Sequence, residues 1–337
     1  MKRFTAKDVA ALAGVDPSTV SRVLRGATSQ HHYDPDTIRR IRSAATQLGY
    51  VPSRAARALR TGVTHRIGLL VSDISNPFFA ELAGRIERHL RGKGYRLLVA
   101  STDESSSQQH EHLRDLVDHG VDGLILSPSG VHGISQALES RIPLITVDRQ
   151  AAGVHVSHVG LDDALAGEML GERLRKSEYA SIGVVMPDTD SDHGAAARLD
   201  GLTRSLGKAS IKWIEQAPLS VAQSQVARAC AKQIKASPVD AIVGLYNTGT
   251  LAALDAIRDA HLEIPAQIGV AGIDDFAAAE HLRPAITVVA QPLDQIASQA
   301  AELLLSKIAK VSRAPIVQLL KPRLVERQSL RPIRRNI

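Results

Sequence analysis

The spacing of apolar positions changes near residue 65, and with it the kind of structure the chain predicts. Before that point the period is helical. Val9 and Leu12, then Val20, Val23 and Leu24, recur at the spacing of two short helices broken at Gly14, and would share one small core. Thr5 stands where the first helix needs an N-cap, with Asp8 near the positive end of its dipole. Asp16 caps the second helix, and Pro17 takes its first position, where a missing N–H costs nothing. Asp34 and Pro35 repeat that pair ahead of a third helix, whose Ile38, Ile41, Ala45 and Leu48 close the core before Gly49 ends it. After Arg66 short apolar runs alternate with helical patterns. Runs at 67–71, 95–100, 123–126 and 143–147 alternate with helical stretches at 77–91, 107–119 and 134–139. The alternation restarts with helices at 163–176, 195–206, 221–234 and 249–260 and strands at 181–185, 240–244 and 268–271. A late helix covers 292–308, and 315–327 returns as a strand. Alternation of this kind predicts parallel βαβ units with each sheet buried on both faces, in two lobes.

Charge divides the chain at the same place. The 337 residues carry a net charge of +6, but residues 1–62 hold 11 Lys and Arg against 4 Asp and Glu, and the rest hold 30 against 31. A basic helical head on a near-neutral body is the footprint of a polyanion-binding module. Aromatic residues make up 3% of the chain, so the core is aliphatic. The single Cys230 excludes an intrachain disulfide framework or a cysteine-rich zinc site. The N-terminus shows no export-signal pattern, and no apolar run approaches the roughly 18–20 residues of a membrane span. The expected location is the cytoplasm.

The outer face of the second helix presents Pro17, Ser18, Thr19, Ser21 and Arg22, side chains suited to base edges and phosphates in a major groove. Arg39, Arg40 and Arg42 either touch phosphates or form a solvated face. In the body, polar residues follow predicted strands at Asp73, Asp148–Arg149, Tyr246–Asn247 and Asp274–Asp275. Ligands bind beyond the carboxyl ends of such strands. Carboxylates with Arg or Asn beside them suit the vicinal hydroxyls of a sugar. No glycine-rich phosphate loop and no zinc-hydrolase signature is present. His110 and His112 fall on different faces of a helix, and His31–His32 lacks partners, so neither a metal nor a cofactor is expected.

The stretch from Lys7 to Leu24 resembles the DNA-binding head of the lactose/galactose repressor family, and Tyr50 to Leu59 is similar to that family's hinge. Asp73, the run Asn76 to Phe79, and Gly272 to Asp275 continue the resemblance over nearly the whole chain. It implies a helix-turn-helix head at 1–50, a hinge helix and linker at 51–62, and an α/β body at 63–337 built of two Rossmann-like lobes of periplasmic-binding-protein type. The head's Thr5, Pro17, Ser18, Thr19, Ser21 and Arg22 and the hinge's Ser53, Arg54, Arg57 and Leu59 would then meet a pseudo-palindromic duplex, with Leu59 as the minor-groove wedge. An apolar wedge of this kind unstacks a base step and bends DNA. The Ala-rich segment 52–60 is shorter than an isolated helix needs, so it is expected to fold when two copies meet on DNA. In the family, positions matching Asp148, Arg198, Asn247 and Asp274 line the effector site, Phe78 and Phe79 lie near its mouth, and Gln291 is close by. Leu202 stands where Phe is usual, and Thr248 where Asp is common. The loop 26–33, with Gln30 before two bulky polar residues, is similar to the fructose and sucrose repressor branch. Arg149 beside Arg198 would suit a phosphate.

The expected protein is a non-enzymatic transcriptional repressor, controlled by a sugar or sugar-phosphate effector. It would be a homodimer, with a tetramer the alternative, since no heptad run follows Arg327. Three rivals share parts of the pattern: a sugar-binding transport receptor, a sugar-converting α/β enzyme, and a regulator whose body answers to a protein partner.

Overall fold

The computed structural model describes residues 4–24, 33–50, 62–151, 153–188, 193–207, 210–311 and 314–333, with His193 as backbone only. The chain forms two units, Met1–Thr64 and His65–Ile337.

In the first unit, Asp8 accepts hydrogen bonds from the Thr5 backbone N–H at 2.7 Å and from its hydroxyl at 2.8 Å, fixing the start of α1 (Ala6–Ala13). Gly14 follows with φ of 64°, a left-handed conformation that glycine adopts without penalty. The Asp16 carboxylate accepts the Ser18 N–H at 2.7 Å and opens α2 (Pro17–Val23). Asp34 does the same for α3 (Pro35–Gln47) through the Asp36 N–H at 3.3 Å. Val9, Ala10, Ala13, Val20, Val23, Ile41, Ala44 and Ala45 form the core, with Leu24, Ile38 and Leu48 packed against it. Leu12 departs from the sequence expectation, being 49% exposed. The inward stripe of α1 runs through Val9, Ala10 and Ala13, and Leu12 falls on the flank of that stripe.

The second unit carries two six-stranded sheets whose strands follow the same spatial order. The first runs β11 (Val317–Leu320), β5 (Ser157–Leu161), β4 (Leu144–Val147), β3 (Gly123–Leu126), β1 (Arg66–Val71), β2 (Arg96–Ser101). The second runs β12 (Arg323–Val325), β10 (Thr287–Ala290), β9 (Gly269–Ile273), β8 (Ala241–Gly244), β6 (Ile182–Pro187), β7 (Ile211–Ala217). All neighbours are parallel except β12 on β10. Helices α4 (Pro77–Gly92) and α11 (Leu293–Ile308) pack Leu82, Ile86, Leu90, Ala300 and Leu304 against Ile67, Leu69 and Ile125 of the first sheet. The first sheet's other face meets α5 (Ser106–Asp118) and α6 (Ile134–Glu139). The second sheet lies between α7 (Asp163–Lys176) with α8 (His193–Leu206) on one side and α9 (Gln223–Ala236) with α10 (Asn247–Asp259) on the other.

The sequence expectation omits strands β5, β7 and β10. β5 interrupts its apolar residues with His158 and Gly160, and β7 is an edge strand that carries Lys212, Glu215 and Gln216, whereas β10, Thr287–Ala290, is as apolar a run as the four-residue strands β3, β4 and β8. The single strand expected at 315–327 is two strands in different sheets. Pro322, which has no N–H to donate to a ladder, separates them. The chain therefore passes between lobes three times: after β5, after β10, and between β11 and β12. Helices α7 and α8 meet backbone to backbone. A Cβ at Gly167 would collide with the Arg198 carbonyl, and one at Gly201 with the Ala164 carbonyl. Among the described residues, no helix is long and apolar enough to cross a membrane.

Candidate DNA-binding face and interlobe site

On α2, Val20 and Val23 are buried and turn the opposite side outward. Ser18 and Arg22 are exposed there, and Pro17, Thr19 and Ser21 are half-buried. Hydrogen bonds from the Ser18 side chain and then its backbone hold the Asp16 carboxyl below the usual carboxylate range, so the cap stays charged. A hydrogen bond to Tyr33 raises the Arg22 pKa further, and its guanidinium remains cationic on this face. Thr5 is exposed, its hydroxyl engaged by Asp8. Arg39 pairs with Asp36 one turn away, and Arg40 donates to the Thr37 hydroxyl at 3.3 Å. Both contacts are of the local kind found on a solvated helix face. Ser53, Arg54, Arg57 and Leu59 lie outside the described residues, as do His31, His32 and most of the loop 26–33.

In the body, two aspartates occupy equivalent places in the two lobes. Asp148 follows β4 and Asp274 follows β9, the third strand in each spatial order. Both are left-handed, with φ of 63° and 75°. Residues other than glycine adopt this region infrequently, Asp and Asn most readily. The turn directs each carboxylate out of strand alternation. Asp148 accepts from the Ser127 hydroxyl at 2.9 Å, and Asp274 from the Gln291 amide at 2.7 Å.

Arg198, on α8, is 4% exposed. Its Nε donates to Asp163 at 2.7 Å, one Nη donates to the Leu245 carbonyl at 2.8 Å, and the same nitrogen lies 4.0 Å from Asp274. The guanidinium thus ties the first residue of α7 to the ends of β8 and β9. Asn247, at the start of α10, is buried. Its amide donates across the lobes to the Asn76 side chain at 2.7 Å, and its oxygen accepts from the Thr248 N–H at 2.7 Å. Thr248, where the resemblance leads one to expect Asp, turns its hydroxyl to the same Asn247 oxygen at 3.2 Å. Arg149 makes two 2.7 Å bonds to the Glu104 carboxylate. Asp73 accepts from the Ser75 N–H at 2.8 Å and its hydroxyl at 2.6 Å, a local turn ahead of α4.

Two cavities adjoin these residues. One of about 570 Å³ is lined by Phe78, Asp274 and Gln291. The other, about 790 Å³, is lined by Asp148, Arg149 and Asp163. Phe79 lines neither; it packs in the first lobe's core, edge-on to Phe78 with ring centroids 5.0 Å apart. Sequence reasoning missed Asn76, Glu104, Ser127 and Asp163 as partners. Asn76 carries a signal, standing as an N-cap before Pro77, and Asp163 lies in an acidic pair before a helix. Glu104 carries none, since its pairing with Arg149 joins separate loops.

Comparison with known proteins decides the family. Residues 5–53 match the family described as bacterial regulatory proteins, lacI family, and residues 67–310 match a periplasmic binding protein domain. The regulator PtxS of Pseudomonas plecoglossicida is 32% identical over 98% of this chain and 97% of its own. The chain belongs to the lacI family. It is a DNA-binding transcriptional regulator. The ribose operon repressor of Haemophilus influenzae is 28% identical, covering 97% of this chain and 98% of its own. Among solved structures, a complex of the regulator CelR with cellobiose aligns over 97% of this chain and all of its own, at 27% identity and a TM-score of 0.71. A lac repressor dimer bound to operator and the anti-inducer ONPF covers 98% of this chain and all of its own, at 20% identity and a TM-score of 0.86, a likeness of fold.

Proposed function

We propose that this lacI-family regulator is a cytoplasmic homodimeric repressor whose affinity for a pseudo-palindromic operator is set by an uncharged sugar held between its lobes. On this reading the head is 1–50, the hinge 51–62 and the body 63–337. Thr5, Pro17, Ser18, Thr19, Ser21 and Arg22 meet the major groove, and Ser53, Arg54, Arg57 and Leu59 the minor groove. The observation that carries the effector assignment is the pair of equivalent left-handed aspartates, Asp148 and Asp274, with Arg198 4.0 Å from the second. Each carboxylate can accept hydroxyl protons, while Arg198 and Asn247 supply donors.

The charge balance favours an uncharged ligand over a sugar phosphate. Glu104 takes both arms of Arg149 and Asp163 takes Arg198, while Asp73, Asp148 and Asp274 add negative charge at the strand ends. A phosphate there would meet carboxylates before it met a cation. The names of relatives agree with a sugar, since they include a ribose operon repressor and a CelR–cellobiose complex. A ligand that binds one lobe arrangement more tightly shifts the DNA-binding equilibrium by its differential affinity and no more.

Calorimetry of the full chain with ribose, fructose, glucose and cellobiose, each beside its phosphorylated counterpart where one exists, tests this. Saturable binding of a free sugar, weakened at least tenfold by Asp148→Ala or Asp274→Ala, is expected. Tighter binding of a phosphate, or no effect of either substitution, would contradict it.

A further inference from the structure

Glu104 stands where the backbone asks for a glycine. It follows β2, in a turn closed by the Ser105 N–H, which donates to the Thr102 carbonyl at 2.8 Å. The two residues between, Asp103 and Glu104, are both left-handed, with φ of 48° and 58°. Turns with two left-handed central residues draw on Gly, Asn and Asp, because other side chains crowd the backbone there. Asp103 suits its place and accepts from the Ser101 hydroxyl at 3.0 Å. Glutamate has no such local advantage. A costly conformation of this kind is retained where the surrounding structure holds the side chain to a task.

That task is visible in what meets at the turn. Thr102 is fully buried, its hydroxyl 2.6 Å from that of Ser129 in the loop after β3. Gln109 holds the same loop, accepting from the Ser129 N–H at 2.8 Å and donating to the Gly130 and His132 carbonyls at 3.1 and 2.8 Å. The loops after β2, β3 and β4 thereby converge on Arg149. Glu104 accepts from both of its terminal nitrogens at 2.7 Å, the Pro128 carbonyl accepts from one of them at 3.3 Å, and Asp148 lies 3.7 Å from Nε. The Arg149 and Glu104 side chains are 9% and 15% exposed. Arg149 lines the larger cavity and Glu104 does not, so the carboxylate acts on that cavity through the guanidinium.

We propose that, on the sugar-site reading, Glu104 is the positioning residue that sets the charge class of the effector: by holding Arg149 it makes the site refuse anionic sugars, and its loss turns the site toward them. The two nitrogens that Glu104 occupies are those with which arginine grips a phosphate or carboxylate. An anion arriving there meets one positive charge between two negative ones and must displace a carboxylate already seated in the fork. A site excludes the wrong ligand by such repulsion as well as by its fit to the right one. Glu104→Gln keeps the shape but offers one acceptor in place of two, which releases one arm of Arg149.

Calorimetry of the full chain with ribose, fructose, glucose, their terminal phosphate monoesters and inorganic phosphate tests this. Glu104→Gln is expected to bind a sugar phosphate about tenfold tighter than the parent chain does, with free-sugar affinity unchanged within about threefold. Glu104→Gly relieves the turn and should show the same gain, so either variant suffices if melting curves show the other unfolded. Glu104→Asp retains the charge and should show none. Adding Arg149→Gln to Glu104→Gln should abolish the gain. A parent chain that prefers a sugar phosphate would overturn both this proposal and the free-sugar reading. Free-sugar binding by the parent, with no phosphate gain in folded Glu104→Gln or Glu104→Gly, or with a gain that survives Arg149→Gln, would overturn this proposal alone. If the parent binds no sugar, that reading fails and inorganic phosphate decides. Phosphate binding gained in Glu104→Gln and lost with Arg149→Gln supports control of Arg149 by Glu104, and no gain overturns it.

Discussion

Arg198 is the side chain through which the candidate effector site is assembled. It is buried, and it satisfies Asp163 and the Leu245 carbonyl at once. Arg198→Ala would leave two carboxylates, Asp163 and Asp274, without their cation, and truncating one partner of a buried pair costs about 3 kcal/mol or more. A lower melting temperature and loss of the sugar response are the expected result. Arg198→Lys should recover part of the stability but little of the response, because one ammonium cannot reproduce the fork. His158 yields a pH prediction of definite sign. Its folded pKa is about 4, below the unfolded value of 6.5. Above pH 6.5 the ring is neutral in both states and contributes nothing to pH dependence. As pH falls from 6.5 to 4 only the unfolded chain takes the proton, so folding loses up to roughly 3 kcal/mol from this group. Below about 4 the loss levels off. Denaturant melts at pH 7.5 and 4.5 should therefore show a smaller acid loss in His158→Phe than in the parent chain. At this scale the sequence exposed Asp148 and Asp274 as polar residues after apolar runs, but not their left-handed turns or the Glu104 partner of Arg149. Those depend on loops distant in sequence meeting in space.

Among the elements, the pairing of α7 with α8 sets where Arg198 sits. The helices touch through Gly167 and Gly201, so a methyl group at either must force them apart. Gly201→Ala should cost about 1–3 kcal/mol by overpacking and weaken sugar binding with it. Gly92→Ala, where a Cβ meets nothing within 4 Å, should leave both melting and binding unchanged. In the head, Asp16→Ala removes the cap of α2 and should lower the head's melting temperature. Operator affinity should fall while sugar binding by the body stays as it was, which calorimetry and anisotropy on the same variant would show. Helices were the most legible elements. Their caps at Asp16–Pro17 and Asp34–Pro35 are local chemistry and are read directly from residues. Strands β5 and β7 were hidden because polar residues and glycine interrupt their apolar runs, and pairing with their neighbours makes them strands. The split of 315–327 between two sheets is likewise a property of topology, with Pro322 as its only local sign.

At the scale of the whole molecule, two sheets of matching strand order are joined by three passages of chain, and on the proposed reading the ends of their strands share one ligand site. Asn247 and Asn76 bridge the lobes at those ends, so a ligand that claims the Asn247 amide competes with a lobe-to-lobe bond. The net positive charge is concentrated in residues 1–62, the first fifth of the chain. Operator affinity should accordingly fall at least tenfold between about 50 and 200 mM salt, while sugar affinity barely changes. The central claim is that DNA binding and sugar binding are coupled in one chain. Fluorescence anisotropy of a labelled duplex from the region upstream of the protein's own gene measures it most directly. Protein is titrated at fixed salt, and free and phosphorylated sugars are then added. Tight, specific binding whose affinity is changed at least fivefold by a free sugar, and by Arg198→Ala no longer, is the predicted result. Specific DNA binding that no sugar alters, or that only a sugar phosphate alters, would contradict it.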